Sequence, residues 1–433
     1  MDFNILTLGC KVNQYESQAM REALLRRGYF ESQDREKADI TVINTCTVTS
    51  VSDAKNRKLI HRVRRQNPDG IIVLTGCMPQ AFPDEMSSLS ECDIILGNKE
   101  REQLVPAIEA YLRDRQRRVD IPEYLNRGDA YENLIVSSFE GHTRAFIKIE
   151  DGCNRFCSYC VIPYARGRVR SKPLDSLKKE LEAVALSGYR EVVLVGINLS
   201  AYGQGEDFDL ADAVETACDT EGIERVRLGS LEPEQMDEPL IARLAAQEKL
   251  CPQFHLSLQS GCDKTLRAMN RHYDTAEYAK IVSNLRAAFP NAAMTTDVMV
   301  GFAGENEDDF QASMDFVKQI GFSKVHVFPY SLRKGTRAEH MPNHVSPAEK
   351  ERRAHLMGEL VEKSRQEFLR SQVGLTEEVL FERLRHGYLE GYTKNYTPVH
   401  VTSDDESLCG KICSVKLTGT GEDWCVGNLE QGK

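Results

Sequence analysis

The chain has 433 residues, 41% hydrophobic and 28% charged, the proportions of a globular protein with room for two or three domains. No apolar run approaches the roughly 18 residues of a membrane span, and a net charge of −11 argues against a globally basic nucleic-acid binder. The opening MDFNILTLGCKVNQ has neither a basic stretch nor a long apolar one, so a cytoplasmic protein is expected, with its thirteen cysteines as ligands or buried apolar groups rather than disulfides.

Residues 1–125 repeat a strand–loop–helix pattern. The runs ILTLGC, TVINTC and IVLTGC each end on a small residue and a cysteine, and a helical stretch follows each. Cys10, Cys46 and Cys77 therefore sit at equivalent offsets beyond three strand ends. In an open parallel α/β sheet those ends share one edge, where ligands bind, so the three thiols should converge. Cys92 begins the strand CDIILG and lies at the opposite end. The stretch 53–65, DAKNRKLIHRVRR, carries six Lys/Arg against one Asp; Arg57, Arg62 and Arg65 suit a polyanionic partner or simply a solvated helix face. Residues near 112–140 are polar and irregular and read as a linker.

Between 139 and 370, strands alternate with helices about six times, as in an open sheet or a partial barrel of six βα units. Asn198, Ser230, Glu232, Gln259, Gly301 and Glu305 fall at strand carboxyl ends, the reactive face of a barrel. These residue types could hold a ribose and an amino-acid group or merely cap the following helices. Residues 372–433 change to short alternating strands, typical of a small antiparallel β-barrel. There Tyr388, Tyr392 and Tyr396 either stack on unpaired bases or pack a core. Cys409, Cys413 and Cys425 lie in strand-like context and read as packing residues.

After the first strand of the second region stands EDGCNRFCSYCVIP, with Cys153, Cys157 and Cys160 at spacing C-x3-C-x2-C. A closed zinc site needs a fourth ligand nearby. The alternative is a 4Fe-4S cluster with three irons held and one open to a small molecule. With Tyr159 before the last cysteine, the motif resembles the radical S-adenosylmethionine superfamily. By that resemblance the open iron takes S-adenosylmethionine and cleaves it to a 5′-deoxyadenosyl radical.

The whole chain resembles the methylthiotransferases of that superfamily. The residues that carry this are TLGCKVNQYES, INTCTVTSVSDAK, LTGCMPQ, EDGCNRFCSYCVIPYARGRVRS, GSLEP, HLSLQSGCDKTLRAMNRHY and YSLRKGTRA. The resemblance implies a second 4Fe-4S cluster on Cys10, Cys46 and Cys77, two S-adenosylmethionine molecules, and a C-terminal TRAM barrel that binds RNA. It also implies an electron donor such as flavodoxin or ferredoxin, and a monomer. GCKVNQYES and HLSLQSG are similar to the branch acting on C2 of N6-threonylcarbamoyladenosine at position 37 of the tRNA anticodon stem–loop. Other branches act on isopentenyladenosine or a ribosomal-protein aspartate. A non-catalytic iron–sulfur RNA-binding protein is the reading from a different class.

On this basis Tyr159, Asn198, Ser230, Glu232, Gln259, Gly301 and Glu305 are expected at the cofactor. Arg166, Arg168, Arg333, Lys334 and Arg337 are expected at the substrate's carboxylate or at RNA phosphates, with Arg57, Arg62 and Tyr392 on the RNA. Arg271 is either a carboxylate partner or an ordinary surface residue. One stretch departs from the family: GFAGEN has Ala303 where proline, and Asn306 where threonine, is usual. That puts the rigidity of this loop in question.

Overall fold

The computed structural model describes residues 1–34, 37–99, 101–123, 130–139 and 141–430. Its first layer is a parallel sheet of β1 (Asp2–Thr7), β2 (Phe30–Glu31), β3 (Ile40–Thr45), β4 (Ile71–Gly76), β5 (Ile94–Leu96) and β6 (Arg118–Asp120), in the order β2-β1-β3-β4-β5-β6. Strands β3 and β4 are buried throughout, which is why they read as near-continuous apolar runs. The stretch read as a linker supplies the edge strand β6. Three residues, two of them charged, leave no alternation to detect. Further on, Val136 and Phe139 are buried against the second domain. Residues 124–129 and 140 of that stretch, and with them the boundary at 125, lie outside the described residues.

The helix Lys11–Arg26 has two apolar faces. Met20 and Leu24 enter the core of the first sheet, whereas Val12, Tyr15 and Ala19 join the core of the next domain.

That domain is an arc of parallel strands. β7 (Arg144–Lys148) leads into a short antiparallel pair, β8 (Glu150–Asp151) and β9 (Arg170–Ser171), which frames the C-x3-C-x2-C loop. The arc continues through β10 (Glu191–Val195), β11 (Arg225–Leu228), β12 (Ser230–Leu231), β13 (Gln253–Leu256), β14 (Ala293–Val300) and β15 (Lys324–Pro329). Its two sheets, β11-β10-β7 and β12-β13-β14-β15, meet at Gly229, where one strand position is broken. Six strand positions with intervening helices make the expected partial barrel.

In the loop that departs from the family, Asn306 caps the helix Glu307–Ile320, accepting from the Asp309 N–H at 2.8 Å. Asparagine does here what threonine does elsewhere. Gly301 and Gly304, at φ +71° and +78°, supply the bends.

The helix Pro347–Gln372 leads to β16 (Thr376–Arg385), β17 (Tyr388–Thr393), β18 (Pro398–Thr402), β19 (Ile412–Thr420) and β20 (Cys425–Leu429), a closed barrel in the order β16-β17-β18-β20-β19. It is not wholly antiparallel, because β18 and β20 run parallel. Five strands that alternate in direction around a closed ring must contain one parallel pair. This barrel docks on the amino ends of the domain's strands: Arg225 donates to the Glu378 carbonyl at 2.8 Å and Arg227 to that of Lys394 at 3.0 Å.

Candidate active site between two cysteine triplets

Cys10, Cys46 and Cys77 follow β1, β3 and β4, adjacent in the sheet, and so meet at one edge. The small residue before the cysteine has a steric reason. Gly9 and Gly76 adopt φ +139° and +100°, and a Cβ on Gly76 would lie 2.4 Å from the Thr45 carbonyl oxygen. Buried asparagines surround the thiols: Asn13 faces Cys10 Sγ at 3.3 Å, and Asn98 donates toward Cys77 Sγ at 3.6 Å. Neither was apparent from the sequence.

The second triplet lies in a loop held by backbone hydrogen bonds from the Cys153 N–H to the Gly167 carbonyl (3.0 Å) and from the Ser158 N–H to that of Met269 (2.9 Å). Gly152, at φ +90°, admits the close pass of Arg168, whose carbonyl oxygen would lie 2.0 Å from a Cβ there. Burial pushes Cys160 up to about 12, with the neighbouring Cys157 adding to it; burial does the same to Cys77, against the nearby Arg166. Such thiols give up their protons to a cation that takes the sulfur. All thirteen cysteines are free. No three His, Cys, Asp or Glu side chains among the described residues stand close enough to share a single metal ion. A cuboidal cluster asks something different: each thiolate takes a different iron, which spreads the sulfurs apart.

One arginine reaches each triplet. Arg271 is buried, pairs with Glu232 and donates to Cys157 Sγ at 3.3 Å, so the carboxylate-partner reading holds and the surface reading fails. Arg166 is also fully buried, and its Nε donates to Cys77 Sγ at 3.2 Å. It follows the other triplet on the helix Ile162–Arg166, so this five-residue helix spans from one set of thiols to the other. Behind it lies a buried charged knot: Arg166 and Lys148 lie 2.8 and 3.0 Å from Glu16, with Asp151 beyond and Arg101 completing it at 2.6 Å. Burial alone would raise Glu16, but Arg101, Arg166 and Lys148 hold it down at about 2.

Two polar atoms at the strand ends have no partner although buried: Asn198 Oδ1 and Glu150 Oε1. Asn198 makes no side-chain cap to the turn after it, so the capping alternative fails, and its free oxygen awaits a donor. Glu150 lies inside the apolar-looking run before the loop and gave no sequence signal. Burial pushes its carboxyl up to about 8, against the Asn198 N–H that donates to it. The unfolded chain releases this proton near pH 4.5 and the folded one near 8, so the group costs stability progressively as pH rises through that window. Glu150→Gln should flatten the corresponding fall in melting temperature of the cluster-free protein between about pH 5.5 and 8; a fall equal to the wild type's refutes it.

Two family models match the chain: the Uncharacterized protein family UPF0004 over residues 2–97 and the Radical SAM superfamily over 147–317. The threonylcarbamoyladenosine tRNA methylthiotransferase MtaB of Bacillus subtilis is 37% identical over 98% of this chain and 95% of its own. The chain belongs to the radical SAM methylthiotransferases. The tRNA-2-methylthio-N(6)-dimethylallyladenosine synthase of Pelotomaculum thermopropionicum is 35% identical over 96% and 95%. Among solved structures, the radical S-adenosylmethionine methyltransferase TsrM from Kitasatospora setae, with cobalamin and a 4Fe-4S cluster bound, shares the fold. Its TM-score is 0.57 at 13% identity, covering 90% of this chain and 77% of that one.

Not every residue expected to serve this methylthiotransferase stands at its cleft. Tyr159 packs edge-on to Phe302 beside the loop, and Ser230 is exposed at the barrel mouth. Gln259, at φ +66°, turns the chain after β13. Glu305 is committed to the Gly301 N–H and to Arg353, both at 2.8 Å, and a Cβ on Gly301 would strike Lys350 at 2.4 Å, so this pair shapes its own loop.

Arg166 is no RNA contact, being buried in the knot. Arg333 is equally buried: it binds Asp53 at 2.6 Å and the Thr47 carbonyl at 2.7 Å, clamping the barrel to the residue after Cys46. Lys334 and Arg337, on the same loop, remain exposed. Arg168 lies over the Phe156 ring at 4.6 Å. Arg57 pairs with Glu85 at 2.6 Å, while Lys55, Lys58, Arg62 and Arg65 line a groove of about 580 Å³ that begins at Leu8. Tyr392 stacks on Tyr396 at 4.5 Å beneath Arg144, where the C-terminal barrel docks, whereas Tyr388 stays exposed.

Proposed function

We propose that this enzyme adds a methylthio group to C2 of N6-threonylcarbamoyladenosine at position 37 of tRNA, using two 4Fe-4S clusters and two S-adenosylmethionine molecules. The observation that carries this is the meeting of two three-cysteine sets at one cleft, joined by the helix Ile162–Arg166. Three thiols apiece leave each cluster one open iron; when bound, the loop cluster supplies the electron that cleaves S-adenosylmethionine and the other holds the sulfur to be inserted.

The chain's own residues orient and exclude. Asn198 Oδ1 accepts from a hydroxyl or amino group of the cofactor, and the Glu150 carboxyl, which keeps its proton up to about pH 8, donates from Oε1, with Ser230 and Tyr159 nearby. Arg271 fixes Glu232 and the Cys157 sulfur together. Lys55, Lys58, Arg62 and Arg65 take anticodon-stem phosphates in their groove, and Lys334 and Arg337 meet the RNA at the rim. The C-terminal barrel, TRAM-like in its closed five strands, adds Tyr388. A flavodoxin or ferredoxin supplies electrons to a cytoplasmic monomer. A purely structural iron–sulfur protein would have no use for two buried polar atoms without partners at its strand ends.

The test offers the cluster-loaded enzyme anticodon stem–loops carrying threonylcarbamoyladenosine, isopentenyladenosine or plain adenosine at one position. Mass spectrometry of the digested nucleosides should find methylthiolation of the first alone. Preference for the isopentenyl form would refute the substrate while leaving the family unaffected.

A further inference from the structure

A cavity of about 270 Å³ runs down the inside of the partial barrel. Gly196, Gly229 and Ser230 line it at strand carboxyl ends, and Cys10 is also part of its lining. The rest of its lining includes Lys11, Arg227 and Lys324, together with His255 and His326; of these Lys11, Lys324 and His326 are exposed.

No acidic residue is found among the described residues lining it. The nearest carboxylates are Glu191 and Asp297, the latter on the same face of β14 as the lining Thr295. Glu191 is shared by Arg227 at 2.9 Å and by Arg144 and Arg225 at 3.8 Å, and Asp297 lies 3.6 Å from His255. The Arg227 side chain is 2% exposed, and its Nη2 has no hydrogen-bond partner. A buried guanidinium N–H left unpaired is costly, and native proteins seldom tolerate it without a ligand or water to accept it. The Lys11 ammonium rests 5.7 Å over the Phe146 ring, with no carboxylate in ion-pairing range among the described residues.

We infer that this cavity is a carboxylate-binding site, and that the carboxylate is the one at the end of the substrate's N6 arm, held by Lys11 and Arg227. The inference rests on the proposed function and adds to it the residues that set specificity. The cavity has the volume of about nine waters, enough for an arm of roughly ten non-hydrogen atoms and far more than a lone inorganic anion fills. An arm entering past Gly196, Gly229 and Ser230 would leave its adenine at the strand carboxyl ends, on the side of Cys10. Of the arginines that the sequence suggested for this task, Arg166, Arg168 and Arg333 are engaged elsewhere. Lys11 lies within GCKVNQYES, one of the two stretches similar to the threonylcarbamoyladenosine branch.

The test compares stem–loops bearing threonylcarbamoyladenosine with its methyl ester, a neutral analogue of nearly the same shape. Cluster-loaded wild type should favour the acid at least about tenfold, or about 1.4 kcal/mol. In Lys11→Gln and Arg227→Lys that preference should fall to about twofold or less. It should fall through KM and stem–loop affinity, with iron content at the wild-type value. Lys324→Gln should lower the preference several-fold, and it and Lys11→Gln, both at exposed positions, keep the test decisive if Arg227→Lys misfolds. Survival of the full preference in all variants that fold overturns the assignment. Wild type that methylthiolates acid and ester equally also overturns it while the substrate reading stands; methylthiolation of the isopentenyl form alone overturns both. If acetate competes equally against acid and ester, the cavity takes a free small anion and the assignment to the substrate falls.

Discussion

Anaerobically loaded wild type should hold about eight irons, and the variant with Cys153, Cys157 and Cys160 all changed to Ala about four. That variant should release no 5′-deoxyadenosine, because the remaining irons sit on the other triplet, away from Asn198 and Glu150. The complementary change of Cys10, Cys46 and Cys77 should also halve the iron yet leave reductive cleavage of S-adenosylmethionine measurable, since the loop of Cys153–Cys160 draws its backbone hydrogen bonds from Gly167 and Met269 and none from the first sheet. Neither set can compensate for the other: one is carried by three strand ends, the other by a single loop. A first-sheet variant that keeps full iron would refute the convergence of those three thiols on a second cluster.

The other large effect concerns Arg166. Replacing it by Met leaves Glu16 and Asp151, both buried, with one cation fewer, and stranding a buried charge costs about 3–5 kcal/mol. The expected outcome is a marked drop in the urea midpoint of the cluster-free protein. Double replacement of Arg166 and Glu16 by apolar residues of similar volume should recover part of it, as removing both members of a buried pair often does. Arg166→Lys keeps the charge but loses the planar fork and its Nε donor to Cys77, so it should stay folded while altering the reduction potential of the second cluster proposed on Cys10, Cys46 and Cys77. An unchanged midpoint in Arg166→Met would show that the knot is not a source of stability.

Much of this was legible in the chain because strands of a parallel sheet declare themselves. Continuous apolar runs at β1, β3 and β4 placed three cysteines on one edge, and the C-x3-C-x2-C loop carried its own spacing. Arginines do not declare themselves in this way. Arg166, Arg271 and Arg333 sit in polar-looking text, yet each is buried through partners more than 38 residues away, and pairing across such distances leaves no local pattern. Tyr392 and Tyr396 were ambiguous for the same reason, since a stacking platform and a domain interface draw on the same aromatic residues. Glu150 was hidden by its neighbours, and β6 by its shortness.

The helix Lys11–Arg26 also bears on how this protein can change over generations. Because Val12, Tyr15 and Ala19 complete the core of the neighbouring barrel, and Glu16 neutralises that barrel's Lys148, the first sheet is not a cassette. A recombination junction placed between the two domains would part a helix from half of its contacts, exposing three apolar side chains and leaving the buried Lys148 with Asp151, at 3.0 Å, but without Glu16. Chimaeras with other radical enzymes should therefore succeed only when this helix is inherited together with the barrel it helps to build.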